Sequence, residues 1–135
     1  MLPAKRLLFI ECPPWADDAD TWFFRRMGFD VKVHQILCSK LDSILDIESR
    51  YRLADFDAIV ISSIAFVSRS LFERFMELVR IAETKKTSRI LVVGMNPNIS
   101  SEEQQAQADV FDGVFIGKDL DEEQVREMFR GLIGQ

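Results

Sequence analysis

Ala58-Ile59-Val60-Ile61 is apolar at every position, and three of its four residues are β-branched. A strand with one wet face alternates apolar and polar residues. A strand without that alternation is buried on both faces, which is the habit of parallel sheets covered by helices on both sides. The chain after it supports this reading. Ser70-x-x-Glu73 can form a capping box, and Leu71, Phe72, Phe75, Leu78, Val79 and Ala82 then fall on one helical stripe. The opposite face of that helix, with Arg74, Glu77, Arg80 and Glu83, reads as solvated.

The same strand-then-helix unit recurs in both directions. Upstream, Leu7-Leu8-Phe9-Ile10 is a short apolar strand ended by Glu11-Cys12-Pro13-Pro14. A helix follows from about Asp17 to Met27, acidic at its start and closed by Arg25-Arg26, a charge order that suits the helix dipole. Gly28 is a good C-terminal stop. Asp30 to Gln35 is the second strand. The second helix runs from about Lys40 to Arg52, with Ser39 as its cap and Leu41, Ile44, Leu45 and Glu48 at helical spacing. Downstream, Ile90-Leu91-Val92-Val93 is the fourth strand, ended by Gly94. Ser100-x-x-Glu103 opens a short polar helix. Val114-Phe115-Ile116 is the fifth strand, and a last helix runs from about Leu120 to Leu132 with Val125, Met128, Phe129 and Leu132 inward. The order is (βα)5. Right-handed crossovers make this a three-layer αβα domain around a five-stranded parallel sheet, with the flavodoxin-like strand order 2-1-3-4-5. A site then belongs at the strand ends around the switch point: Glu11 to Asp18 and Ser62 to Ser68, helped by Gly94 to Asn98 and Gly117 to Asp119.

Composition narrows the function classes. The 135 residues are 47% apolar and 29% charged, with 6 Gly and 4 Pro, values of one globular domain spanning residues 1–135. With 17 Lys plus Arg against 22 Asp plus Glu, the net charge of -5 disfavours nucleic acid as a partner. The N-terminal residues do not form a signal peptide and no apolar run is long enough for a bilayer, so a cytoplasmic protein with no membrane partner is expected. Cys12 and Cys38 read as two free thiols. His34 stands four residues before Cys38, but in a strand, and it is the only histidine, so no metal site is expected.

The loop after the first strand tests the chemistries such a fold hosts. Glu11-Cys-Pro-Pro-Trp-Ala-Asp-Asp18 has no glycine, its prolines remove backbone donors, and its acids repel phosphate. Dinucleotides, nucleoside triphosphates and flavin phosphates are disfavoured there, and no cofactor is expected. A thiol enzyme or phosphocarrier using Cys12 would need a ring of N–H donors that this loop does not offer. Ser62 and Ser63 have no histidine or lysine base nearby in the pattern and are weak nucleophiles. Trp15, Trp22 and Phe66 read first as core filling, with a ligand or partner contact at the rim as the sharper alternative.

Three stretches carry a resemblance. Trp22-Phe-Phe-Arg-Arg-Met-Gly-Phe-Asp-Val31, Asp57-Ala-Ile-Val-Ile-Ser62 and Asp112-Gly-Val-Phe-Ile-Gly-Lys-Asp-Leu-Asp-Glu-Glu123 resemble the first helix and second strand, the third strand, and the fifth strand with its lysine in response-regulator receiver domains. The resemblance implies that Lys118 falls where receivers keep the lysine that pairs with a phosphoryl group. It puts Glu11 in the region of the Mg²⁺-holding acids, and Ser62 where the phospho-accepting aspartate should be. Serine lacks the carboxylate this chemistry needs. Gly94 and Asp119 also depart from the family's usual Ser/Thr and Pro. A second resemblance is to the cobalamin-binding domain. Phe56-Asp-Ala-Ile-Val-Ile-Ser-Ser-Ile64 is similar to its third strand and S-x-L turn. Ile90-Leu-Val-Val-Gly-Met95 is similar to the strand that ends in its paired glycines, with Met95 in place of the second. The first loop offers no axial histidine.

The function expected from these residues is a non-catalytic, receiver-like signalling or protein-interaction module without aspartate phosphorylation. Its pocket comprises Glu11, Ser62, Ser63 and Lys118. Val110, Phe111 and Phe115 form the expected surface for a protein partner or homodimer. The alternative is a small-ligand, corrinoid-type binding domain whose rim includes Trp15, Phe66, Gly94, Met95 and Asn96.

Overall fold

In the computed structural model the described residues are 5–11, 18–35, 47, 49–61, 69–86, 88–96, 112–116 and 122–129. Five strands form one sheet: β1 (Arg6–Glu11), β2 (Asp30–Gln35), β3 (Ala58–Ile61), β4 (Leu91–Asn96) and β5 (Gly113–Ile116). All neighbours pair in parallel, and the order is β2-β1-β3-β4-β5, as the sequence predicts. The described helices are α1 (Asp18–Arg26), α2 (Arg69–Glu83) and α3 (Glu122–Met128).

Side-chain alternation sorts the core into two layers. On one side Leu8, Ile10, Ile59, Ile61 and Val92 pack under Phe72, Phe75, Met76 and Val79 of α2. On the other, Leu7, Phe9, Ala58, Val60 and Val93 pack under Phe24 of α1, Val125 of α3 and Phe129 just after α3. Every residue of β3 is buried, which is why its sequence shows no polar alternation. Phe24 holds the second layer together, with ring centroids 6.1 Å from Phe9, 6.4 Å from Phe29 and 5.7 Å from Phe129. These are tilted or edge-on aromatic pairs, so the last helix is clasped to the first.

The end of α1 shows how a local pattern fixes an element. Gly28 sits at φ +102°, the left-handed region. Its N–H donates to the Arg25 carbonyl (3.0 Å), and the Phe29 N–H donates to the Phe24 carbonyl (3.2 Å). That pair of bonds is a Schellman motif, and the Phe29–Phe24 contact is the apolar clasp that accompanies it.

Four sequence expectations are corrected. β4 does not stop at Gly94 but runs on to Asn96, because Gly94 is paired on both sides, to Ile61 and Val114. A central strand with two partners carries its ladder through a glycine. α2 begins at Arg69, so Ser70 lies inside the first turn rather than at the cap. The second helix, expected to reach Arg52, falls largely outside the described residues, but Arg52 itself is not helical. The N–H groups of Arg50 and Tyr51 both donate to the Ile47 carbonyl, and Arg52 is extended before a single 3-10 turn at Leu53–Asp55. Trp22 is not core: it is 59% exposed, with the Arg26 guanidinium 5.1 Å above its ring. The Ser100–Glu103 helix lies outside the described residues.

Candidate functional site

Parallel pairing brings the carboxyl ends of the strands to one edge of the sheet. Ile10, Ile61, Gly94 and Val114 form one register row across β1, β3, β4 and β5, with His34 completing it on β2. One row further, Glu11 lies beside Gln35, and Met95 beside Phe115. The chain leaves β3 at Ile61, between the strands that end in Glu11 and Asn96. The switch point is therefore where the sequence puts it: β1 sends the chain outward to β2 on one side, and β3 lies on its other side. Of the expected site residues, Glu11 and Asn96 end their strands, Met95 lies one residue before the end of β4, Gly94 is buried inside β4, and Phe115 lies on β5 at the edge of the sheet. Ser62, Ser63, Lys118, Trp15, Phe66, Val110, Phe111, Cys12 and Cys38 lie outside the described residues. Among the described residues, no group of three or more His, Cys, Asp and Glu side chains could hold a metal ion.

His34 is on β2 as expected, and what it meets there is an aromatic. Its Nδ1 lies 3.3 Å from the Tyr51 hydroxyl, with the two rings edge to face. Burial first, and the charge of Arg50 second, push its pKa below the ordinary histidine value.

The opposite edge of the sheet, where the strands begin, holds an ionic network that the sequence reading missed. Asp112, immediately before β5, accepts from Arg80 (3.0 Å) and Arg89 (2.7 Å) with Oδ1 and from the Val92 N–H (2.8 Å) with Oδ2. Glu83 accepts from Arg80 (3.0 Å) and from the Ile90 N–H. Arg80 and Glu83 are therefore not part of a solvated face, whereas Arg74 and Glu77 are exposed. Burial works against the Arg80 charge, but Asp112 and then Glu83 outweigh it and hold the guanidinium above the ordinary arginine value. Beside this, Lys86 donates to the Phe56 carbonyl (2.6 Å) and pairs with Asp57 (3.5 Å), which also accepts from the Arg6 N–H (2.9 Å). Both clusters tie strand starts to the end of α2, so they are structural. The spacing of Arg80 and Glu83, three apart near the end of a helix, was the one available signal.

Among the described residues, no helix is long and apolar enough to cross a membrane. No protein-family model matches the chain, and no curated protein matches it by sequence. Solved structures do match it in shape. The receiver domain of a sensor histidine kinase from Pseudomonas aeruginosa, crystallised with magnesium in its active-site cleft, aligns with a TM-score of 0.64 at 15% identity, over 98% of this chain and 99% of that one. An orphan response regulator of H. pylori aligns at 0.59 and 16% identity, over 96% of each chain. A signal receiver domain from Clostridium thermocellum aligns at 0.60 and 14% identity, over 97% of this chain and 98% of that one. The resemblance to cobalamin-binding domains finds no counterpart among these three. The chain has the fold of the response-regulator receiver domains, over nearly its whole length.

Proposed function

We propose that the chain is a receiver-like signalling module that acts by presenting a surface to a protein partner, without phosphorylation on aspartate and without catalysis. The observation that carries this reading is the residue after β3. Ile61 ends that strand, and the next residue is Ser62. Acyl-phosphate chemistry needs a carboxylate nucleophile there, with acids that hold Mg²⁺ against the incoming phosphoryl group. A serine hydroxyl does not supply that carboxylate. Such a domain retains the scaffold and the surfaces of a switch and lacks its chemical trigger.

The test is incubation with acetyl phosphate and Mg²⁺, read by intact mass, and with beryllofluoride and Mg²⁺, read by amide shifts. No phosphorylated species and no shifts at the strand ends are expected. A stoichiometric phosphoprotein would overturn the reading. The corrinoid alternative draws on Ser62 and on the buried Gly94. Titration with a corrinoid leaves the visible spectrum of the cofactor unchanged if the module reading holds.

A further inference from the structure

A cavity of about 350 Å³ lies between the Ser49–Ala54 segment and the end of α2, away from the carboxyl ends of the strands. Its polar wall includes Arg50, Arg52 and Lys85, and no acidic residue lines it among the described residues. Its apolar wall includes Leu53 and Ile81, and Ile81 is 56% exposed. Near this end of the molecule four of the other described cations face carboxylates, and Lys5, before β1, faces none among the described residues. Arg6 faces Asp30 and Asp55, Arg80 faces Glu83 and Asp112, Lys86 faces Asp57, and Arg89 faces Asp112. Arg50 and Lys85 have no carboxylate partner among the described residues. Among the described residues Arg52 reaches only Asp55, at 4.0 Å, its own side chain largely in water and that of Asp55 half-exposed. Three cations therefore gather around one cavity, two of them without a carboxylate partner among the described residues, in a chain with 22 acidic residues and 17 basic ones.

We infer that this cavity binds a small organic acid, a carboxylate carried on an aromatic or branched aliphatic body, with the acid group at Arg50, Arg52 and Lys85 and the body against Leu53 and Ile81. The volume lies near the lower end of the range for ligand pockets, which selects a small molecule. The polarity of the walls selects both halves of the ligand. Exposed guanidinium and ammonium groups hold an isolated anion weakly in water. Burial of the apolar body supplies the rest of the affinity.

His34 provides the readout. It is the only histidine, so its ring C2–H is one resolved proton signal. Tyr51 lines the cavity and touches His34, while the charge of Arg50 helps to hold the imidazole neutral. The probe is phenylacetate, with inorganic phosphate supplying charge without body and phenylacetamide body without charge. Phenylacetate is expected to bind in the millimolar range or tighter and to raise the His34 pKa by neutralising Arg50. Phosphate and phenylacetamide are each expected to bind about tenfold more weakly. Arg50→Gln with Lys85→Gln, and separately Ile81→Ser, should each weaken phenylacetate about tenfold while far-UV circular dichroism stays unchanged. These positions are exposed or at the cavity rim, so the fold does not depend on them. Absence of saturable phenylacetate binding would overturn the inference. So would equal binding of phosphate, or binding that both sets of variants leave intact. None of these outcomes bears on Ser62 or on phosphorylation.

Discussion

Replacing Asp112 with alanine removes a carboxylate that three donors share. The Val92 N–H, donated to Oδ2 at 2.8 Å, sits on a fully buried residue and would lose its acceptor. An orphaned buried donor costs about 1–3 kcal/mol. Arg80 would keep Glu83 but lose its 3.0 Å bond to Asp112. Because that guanidinium is 36% exposed, its loss is discounted to about 1 kcal/mol. Arg89 is 69% exposed and adds little. The sum is about 3 kcal/mol. Asp112→Asn keeps an acceptor for Val92 and loses only the charge, so it should cost roughly half as much. Urea unfolding followed by far-UV circular dichroism measures both. With a slope of about 1–3 kcal/mol per molar, the alanine variant should move the midpoint down by about 1–3 M at unchanged slope. A cycle with Arg80→Met should give a coupling energy of about 1 kcal/mol. An Asp112→Ala loss below about 0.5 kcal/mol, or equal losses for alanine and asparagine, would show that the network is a surface decoration and refute the reasoning.

Two further outcomes follow from local geometry. Gly28→Ala should destabilise by about 1–2 kcal/mol, all of it backbone strain, since the residue holds φ +102° and an added Cβ meets nothing within 4 Å; Gly28→Asn should recover part of that loss, and thermal melts that do not separate the two variants would contradict this. Because burial and Arg50 depress the His34 pKa in the fold, the unfolded chain binds that proton more readily. The contribution of His34 is therefore complete above the ordinary value near 6.5 and is lost as pH falls through the depressed one, so the stability gap to His34→Gln should change in that direction between about pH 8 and 5. A gap independent of pH would remove the depressed imidazole from the account.

The register shows how far a site can be read from sequence. Strand ends in a parallel sheet are predictable once the order is known. Glu11 and Gly94 accordingly come to the same edge, although the strands bearing them are separated by β3. The error at Gly94 has the same origin as the success at Gly28. At Gly28 the left-handed turn is decided within five neighbouring residues, whereas at Gly94 the ladder on either side overrides the local weakness of glycine in a strand.

What the amino-acid order determined by itself was the layered α/β architecture. Two-sided burial of Ala58–Ile61, the apolar stripe of α2 and the Gly28 stop are local patterns, and each encodes its own element. Only the tertiary structure decided that Asp112 would meet Arg80 from 32 residues away, that Tyr51 would cover His34, and that Arg50 and Lys85 would face one cavity. Periodicity specifies which face of an element is buried. It carries no information about which residue of a distant element comes to lie opposite, because packing between elements sets that.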